Sequence, residues 1–570
     1  MPNSGSLLLR RGAALGVLAL VLGTTVACTD ADAANKAEPP HKGGSLTIIL
    51  SRSFVTHLDP QQINAGTDAN ISRLVTRTLT TYKSEPGQAA SEIVGDLATD
   101  TGRPSENNTV WEFTLKPGVK WEDGSPVTCP QVKYGVERRF SSLYSNGLPY
   151  PVQYLKDNDP PYRGPFLDLG DKQGLRSVEC VDQRTVRFHL KQPVGDFGYT
   201  VATPTFAPVP PGKDENKAGY DKRPFSNGPY KVESTSAKQI TLIRNGFWDP
   251  GTDSVRKAYP DRIVIKSDPD TPAVTNALIQ SQGDDKNSVV LDADVAPNFV
   301  QQVINDPDLS KRAIAGSFGG IRYFAINTRT IPNLNCRKAL IYAFNKRKYR
   351  AAMGGSVFGD LATTMIAPDL KAHLDFDLYG TQANPEGDPD KAQQLMTQAK
   401  CRQKITVAVP DNATIKRYVN TIIEAYQRAG IQVVLKPIDP ATYFDTGIGD
   451  PANSYDLMYA GWIPDWANGS AILPPLFDGR QIPDGHQGNK NYSLLDDKEI
   501  NTLIDQALAE PDLDKQYVLW GQLDQKIQER AVTIPVIYMK ALRMAGSGIR
   551  GGFIHPAYGQ PDAVSLGVAP

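Results

Sequence analysis

The 570-residue chain has little of what most catalytic and metal sites are built from. Its six histidines are scattered, and it has neither a Cys-x-x-Cys pair nor a His-Glu-x-x-His motif, which argues against a zinc site. A Gly-x-Ser-x-Gly elbow and a phosphate-cradling glycine loop with its lysine are also missing. The sequence therefore predicts no cofactor and no metal, and it argues against a secreted hydrolase, the main rival class.

The chain also lacks an excess of either charge. Lys and Arg number 61 and Asp and Glu number 62, which gives a formal net charge of −1 and no field that would gather nucleic acid. Beyond the N-terminal region, no run is apolar and long enough to span a bilayer. The hydrophobic content of 40% indicates a globular chain, and its length predicts roughly two or three domains.

Residues 1–27 have the layout of a bacterial export signal. Two arginines precede an apolar run, Gly12 to about Val21, that is too short to span a bilayer as a mature helix. Thr25–Val26–Ala27–Cys28 resembles a lipobox, with threonine where leucine is usual. We therefore predict acylation of Cys28, an anchor on the outer face of the cytoplasmic membrane and a tether over 28–43. Ordinary secretory cleavage near this point is the alternative.

Four of the five cysteines remain once Cys28 is set aside, an even number in an exported protein. Cys129 and Cys180 fall in one region of the chain, and Cys336 and Cys401 fall in a later one. Of the three possible connectivities, pairing near neighbours is preferred and gives Cys129–Cys180 and Cys336–Cys401. A four-cysteine metal site is the weaker alternative.

The most distinctive stretch of the chain is Tyr455–Trp466. It begins as a strand of alternating polar and apolar residues and continues into a Gly-Trp corner. Asp465 then lies between two indoles, those of Trp462 and Trp466. A carboxylate among aromatic side chains is partly desolvated, so a cationic partner such as an amine is worth more to it than in water. A structural role, with both indoles in the core and Asp465 as a cap, stays open from the residues alone.

Several short motifs follow one another across residues 44–540 in a recognisable order. They are Leu58–Asp59–Pro60, Asp96–Leu97–Ala98, Lys120–Gly124, Asn227–Gly228–Pro229–Tyr230, Arg244–Trp248, Phe324–Asn327, Cys336–Lys346, Asp388–Ala392 and Tyr455–Asp465. In this order the chain resembles the oligopeptide/dipeptide/nickel class of extracellular solute-binding proteins of bacterial ABC importers, family 5. Cys129–Pro130 and Asn345 depart from the family pattern, and both changes look structural.

The resemblance implies an α/β fold with two lobes, of the periplasmic-binding-protein type (class II, cluster C), and an extra domain inserted in the first lobe. We expect the first lobe at 44–72, 205–295 and 535–570, the inserted domain at 73–204 and the second lobe at 296–534. The ligand is expected between the lobes, which close about hinges and exclude water from the polar contacts.

The resemblance also implies where a ligand binds. In the oligopeptide members an aspartate just after a Gly-Trp corner holds the α-ammonium of the peptide, and Asp465 and Trp462 occupy those places here. Trp466 is a further expected ligand contact. Phe54, near the end of the first strand, and Asn227, at a turn, are the remaining cleft candidates, with plain core or turn roles as their alternatives.

The implied function is the capture of oligopeptides and their delivery to the transmembrane permease subunits of an ABC importer. We expect a monomer that is not an enzyme and that is held at the membrane by its lipid. A receptor lipoprotein that senses peptides is one alternative, and a binder of a nickel chelate, heme or a sugar on the same fold is another. The scattered histidines argue against nickel, and Asp465 argues for a ligand that carries an amine.

The lipid anchor can be tested by substitution. Cys28→Ala removes the thiol that would be acylated, so the exported protein is expected to leave the membrane fraction and appear in the soluble fraction. Fractionation followed by immunoblotting measures this. Continued tight association of the variant with membranes would mean that another anchor holds the protein.

Overall fold

The computed structural model describes residues 39–570, except for 53, 169–172, 215–216 and 484–487. The predicted export signal, Cys28 and most of the predicted tether lie outside the described residues. Within the described ranges, no helix has the length and hydropathy that crossing a bilayer requires. We keep the predicted names below: the inserted region for 73–204, the second lobe for 296–534 and the first lobe for the other segments.

Strands and helices alternate irregularly along the chain. The strands are β1 (Ser45–Leu50), β2 (Thr80–Tyr82), β3 (Ile93–Gly95), β4 (Arg103–Ser105), β5 (Val110–Thr114), β6 (Val178–Cys180), β7 (Thr185–His189), β8 (Tyr230–Thr235), β9 (Gln239–Arg244), β10 (Arg262–Ser267), β11 (Ser288–Val290), β12 (Ile314–Ile326), β13 (Gly359–Leu361), β14 (Lys404–Pro410), β15 (Gln432–Ile438), β16 (Leu457–Trp462), β17 (Thr533–Arg543), β18 (Ile549–Arg550), β19 (Ile554–His555), β20 (Gln560–Pro561) and β21 (Gly567–Val568). The helices are α1 (Gly66–Ser72), α2 (Cys129–Arg138), α3 (Tyr150–Tyr154), α4 (Phe197–Thr200), α5 (Lys217–Lys222), α6 (Thr271–Gln280), α7 (Val300–Asn305), α8 (Pro307–Arg312), α9 (Leu334–Ala343), α10 (Lys346–Met353), α11 (Pro389–Gln398), α12 (Ala413–Arg428), α13 (Leu473–Phe477), α14 (Lys498–Ala509) and α15 (Leu513–Glu529).

The first lobe is built on a five-stranded sheet in the order β11-β1-β10-β9-β8. β1 runs parallel to β10 and β11, and β8, β9 and β10 are joined as antiparallel neighbours. Alternate residues of β1 (Leu46, Ile48 and Leu50) are buried in one core, whereas Ile49 packs into a second cluster on the other side. This is the two-residue period expected of a strand that is covered on both faces.

The inserted region has its own four-stranded antiparallel sheet in the order β4-β5-β7-β6. Trp111 and Phe113 of β5 and Phe188 of β7 form its aromatic core together with Phe197. α2 begins with a capping box in which Thr128 and Gln131 bond each other's backbone, and it packs against β6 and β7.

The second lobe contains a six-stranded sheet in the order β13-β17-β12-β16-β14-β15. Its two longest strands, β12 and β17, pair antiparallel, and the register shifts between Ser317 and Ile321. Phe318, within this shift, and Ala541 of β17 pack into the core of the first lobe. Ile321, after the shift, and Ile537 of β17 pack into the core of the second lobe. The two strands therefore connect the cores. The expected division at residue 535 falls inside β17, and the domain boundaries stay a prediction.

Both predicted disulfides are present in the structure. Cys129 at the start of α2 is bonded to Cys180 at the end of β6, with 5.7 Å between the Cα atoms. Cys336 of α9 is bonded to Cys401 just after α11, with 5.6 Å between the Cα atoms. Each bond therefore closes a loop inside one part of the fold.

Removal of the second disulfide is expected to destabilise the second lobe. Closure of a loop with a sequence separation of 65 residues restricts the unfolded chain by about 4 kcal/mol in the loop-entropy model. The double substitution Cys336→Ser with Cys401→Ser should therefore lower the urea midpoint, with the Cys129→Ser and Cys180→Ser pair as the matched comparison. Non-reducing peptide mapping checks the pairing directly. Four free thiols, or a Cys129–Cys336 cross-link, would contradict it.

Candidate ligand-binding site

One edge of β16 is open over part of its length. On one side β16 pairs with β12 from Leu457 to Trp462. On its other side it pairs with β14 only at Leu457 and Met458, and β14, which stays paired with β15, ends two residues later at Pro410. The part of β16 that leads to the Gly-Trp corner thus has a neighbouring strand on one side alone.

The hydrogen-bond alternation of an antiparallel pair indicates which backbone groups face this edge. Asp456, just before the strand, bonds both ways: its carbonyl accepts from Asn327 N, and its nitrogen donates to Thr406 O of β14. From its carbonyl onward, residues 458, 460 and 462 bond toward β12. The residues between them face the other way, and Tyr459 O accepts there from the Tyr443 hydroxyl at 2.7 Å. Gly461 is the next residue of that set, so its peptide group faces the open edge.

Asp465 follows this edge and meets a tyrosine of the inserted region. The hydroxyl of Tyr150, the first residue of α3, donates a hydrogen bond to Asp465 Oδ2. The side chain of Asp465 is exposed on one side, yet desolvation by the surrounding protein raises the pKa of its carboxyl group, and the Tyr150 hydrogen bond partly opposes this. Desolvation and the nearby carboxylate also raise the pKa of Tyr150 well above its usual value. The site therefore offers a neutral donor beside an accessible carboxylate.

The two tryptophans of the stretch have different surroundings. Trp466 is 3% exposed, and its Nε1 donates to Ser470 Oγ at 2.8 Å and to Asp196 Oδ2 at 3.2 Å. Its ring meets the Tyr150 ring edge-on at 5.0 Å. Trp462 is half-buried, and its Nε1 donates to the carbonyl of Ala471 at 2.7 Å. Trp462 is thus the more accessible indole, whereas Trp466 supports Tyr150 from within the core.

The other two predicted site residues lie in the first lobe. Phe54 is half-buried and packs against the first-lobe core. Asn227 is 1% exposed, and its Oδ1 accepts from the backbone nitrogen of Arg77 at 2.7 Å. No contact among the described residues joins either side chain to Asp465. Asn227 thus bonds the backbone of its own surroundings, and the ligand-binding roles of Phe54 and Asn227 stay predictions.

Asp196 is a participant that sequence reasoning missed. This carboxylate of the inserted region is 1% exposed, and its Oδ2 accepts hydrogen bonds from Trp466, from Ser470 and from Asn468 of the second lobe. Desolvation raises its pKa, and these three donors lower it. No local signal near Asp196 or Tyr150 shows that either residue reaches the segment around Asp465, so spacing in the sequence could not have found them.

Further hydrogen bonds join the inserted region to the second lobe around the same place. Tyr82 accepts from the backbone nitrogen of Ala467 at 3.2 Å, and the hydroxyls of Tyr199 and Tyr517 lie 2.7 Å apart. The Gly195 backbone nitrogen donates to the carbonyl of Leu508 at 2.7 Å. Asp465 therefore lies where the inserted region and the second lobe meet. An accessible carboxylate at such a junction, next to an open strand edge, is suited to binding a cationic, extended ligand.

This architecture is that of a family of binding proteins. A model of bacterial extracellular solute-binding proteins, family 5, middle region, matches residues 92–484, and the chain belongs to this family. Members bind their solutes without converting them, so the expectation that the chain is not an enzyme is confirmed.

Relatives and solved structures agree with this assignment. The probable D,D-dipeptide-binding periplasmic protein DdpA of Escherichia coli (strain K12) is 23% identical over 551 residues, which cover 94% of this chain and 95% of DdpA. The solved clavulanic acid biosynthesis oligopeptide binding protein 2 is 31% identical, with a TM-score of 0.84 over 93% of this chain and 96% of that one. The periplasmic murein tripeptide binding protein MppA, in its unliganded open form, is 17% identical, with a TM-score of 0.74 over 93% and 98%, and shows the fold alone. The predicted cluster C α/β fold is confirmed.

The raised pKa of Asp465 predicts that this residue costs stability. Because its carboxyl pKa is higher in the folded than in the unfolded state, its ionisation favours unfolding at pH values above the unfolded pKa. Asp465→Asn is therefore expected to raise the melting temperature at neutral pH by about 1–2 °C, a small effect because the side chain is partly solvated.

The stability gain from Asp465→Asn should disappear as the pH falls below the unfolded pKa of aspartate, where both states are protonated. Scanning calorimetry at several pH values measures this. The exposed Asp375, for which no contact is found among the described residues, supplies the control Asp375→Asn. An equal gain in both variants, or a gain that persists in acid, would contradict the assignment.

Proposed function

We propose that the chain captures short peptides between its lobes for an ABC importer, and that Asp465 binds the α-ammonium of the peptide. The observation that carries this proposal is the state of the Asp465 carboxylate. It is accessible, its hydrogen-bond donor is the neutral hydroxyl of Tyr150, and it has no cationic partner among the described residues. A carboxylate in that state gains more from an ammonium ion than a carboxylate in bulk water does.

The energetics of this contact favour a peptide. A charge-assisted hydrogen bond between an ammonium and a carboxylate contributes about 1.5–3 kcal/mol. The open edge of β16 at Gly461 supplies backbone groups for an extended chain, as in strand addition, and such pairing does not depend on side-chain identity. Trp462, next along the strand, adds an apolar surface beside that edge.

The names of the relatives support a peptide ligand. DdpA is named for D,D-dipeptides, and MppA is named for murein tripeptide. The clavulanic acid biosynthesis oligopeptide binding protein 2 is named for oligopeptides. Short peptides are common to these names, which agrees with a site that binds the amine and the backbone and leaves the side chains free.

Closure is the event that the proposed importer would detect. Tyr150 and Asp196 of the inserted region contact Asp465 and Trp466 of the second lobe, so a ligand at Asp465 binds at the seam between them. Such a ligand stabilises the closed form and shifts the population toward it, without any chemical step. In the proposal a monomer, held at the membrane through Cys28, then presents the closed form to the permease subunits.

A thermal-shift screen with paired peptides tests the proposal. Free di- to octapeptides are expected to raise the melting temperature in proportion to RT ln(1 + [L]/Kd), whereas amino-terminally acetylated copies should leave it unchanged because they carry no ammonium. Asp465→Asn should abolish the shift, and Asp375→Asn should retain it. If acetylated peptides act as well as free ones, the anchor is wrong. If no peptide acts, sugars, metal chelates and heme become the ligands to screen.

A further inference from the structure

Asp196 of the inserted region is a buried carboxylate that no cation neutralises. It is 1% exposed, and its Oδ2 accepts hydrogen bonds from Trp466 Nε1 at 3.2 Å, from Asn468 Nδ2 at 2.8 Å and from Ser470 Oγ. Its Oδ1 accepts none from the described residues. No lysine, arginine or histidine of the described residues forms an ion pair with it. Removal of such a carboxylate from water is costly, because neutral donors replace only part of its hydration.

The partners of Asp196 come from across the seam between the inserted region and the second lobe. All three of its side-chain donors belong to the second lobe. The titratable groups that face it are the hydroxyls of Tyr154 and Tyr199 in the inserted region and of Tyr517 in the second lobe. Desolvation raises the pKa of each of these tyrosines, so all three are neutral at physiological pH. The burial of Asp196 thus depends on contact between the two parts, and neither part supplies a positive charge.

The balance of these effects on Asp196 is unfavourable to its charge. Desolvation raises the pKa of its carboxyl group, and the three hydrogen bonds lower it by less. The surroundings of Asp196 therefore favour the neutral acid over the carboxylate. An aspartate in contact with water is ionised at neutral pH, so contact between the inserted region and the second lobe costs free energy at this residue. Separation of the two parts would return both carboxylate oxygens to water.

We propose that Asp196 opposes closure of the inserted region onto the second lobe, so that the protein stays open until a bound ligand compensates for the cost. This inference rests on the closure described in the proposed function and names the residue that sets its threshold. Closure buries two carboxylates at the seam, those of Asp465 and Asp196, and the amine of a ligand neutralises only the first. The cost at Asp196 is therefore the same for every ligand and lowers all affinities alike.

Asp524 of α15 is a matched carboxylate that lies away from the seam. It is 1% exposed, and its Oδ2 accepts from the backbone nitrogens of Met365 at 2.8 Å and Ile366 at 2.9 Å. Desolvation raises the pKa of its carboxyl group to about 7. Asp524 and both donors belong to the second lobe, so closure leaves these contacts unchanged. The charge of Asp524 should therefore affect the stability of the protein and not its closure.

Small-angle X-ray scattering of the unliganded protein tests the role of Asp196 without any ligand. The wild-type protein is expected to have a larger radius of gyration than the one calculated from the structure, in which the inserted region and the second lobe are in contact. Asp196→Asn keeps the shape of the side chain and an acceptor oxygen but removes the charge, so its radius of gyration should fall toward the calculated value. Asp524→Asn is the matched control and should scatter as the wild type does.

Calorimetric titration with trialanine measures the effect on binding. Asp196→Asn is expected to bind trialanine about tenfold more tightly than the wild type, because a larger fraction of the protein is already closed. A merely structural role predicts the opposite, since loss of a supporting contact weakens binding. Ser470→Ala serves if Asp196→Asn does not fold, which melting curves reveal. It removes one donor and retains the carboxylate, so it should enlarge the radius of gyration and weaken trialanine binding.

The outcomes separate this inference from the proposed function. A wild-type protein that already scatters like the structure without a ligand overturns the role of Asp196 and leaves peptide binding in place. An Asp196→Asn variant whose radius of gyration and trialanine affinity match the wild type, or whose affinity is lower, does the same. If no free-amine peptide of the thermal-shift screen binds, the proposed function fails, whereas the scattering comparison still decides whether Asp196 opposes closure.

Discussion

The candidate site depends on one carboxylate, that of Asp465, which has no cationic partner among the described residues. Asp465 accepts a hydrogen bond from a tyrosine hydroxyl, and desolvation by the surrounding protein raises the pKa of its carboxyl group. Two structural features define its surroundings. The pairing of β14 with β16 ends at Met458, and α3 of the inserted region places Tyr150 beside Asp465. Both features place the Asp465 carboxylate at the junction of the inserted region and the second lobe.

Several buried arginines elsewhere in the fold are paired with a carboxylate. Arg73 is paired with Asp562, Arg138 with Asp59, and Arg256 with Asp96, all of them buried. These pairs join segments far apart in the sequence and leave no charge without a counter-ion. Asp465 differs from these three carboxylates, because its hydrogen-bond donor is a neutral hydroxyl and not a guanidinium.

Features of the site that depend only on neighbouring residues could be predicted from the sequence. The alternation in β16, the corner at Gly461 and the position of Asp465 are properties of neighbouring residues, and near-neighbour pairing of the cysteines needed only their spacing. Tyr150 and Asp196 could not be predicted, because they are 315 and 270 residues away from their partners Asp465 and Trp466. For the same reason, sequence alone could not decide whether Trp466 lies in the core, whereas packing separates this core indole from the more accessible Trp462.

The irregular segment of β12 has a consequence for the proposed closure of the lobes. Gly319 and Gly320 lie between the two registers of the β12–β17 pair, and a Cβ at Gly319 would approach Leu370 and Pro464 to about 3 Å. In the proposed closure, a bend in this short stretch would leave the ladders on both sides intact. Ligand recognition and the ease of bending thus reside in different residues. In the proposed mechanism, the balance between open and closed forms is therefore set by residues other than those that select the ligand.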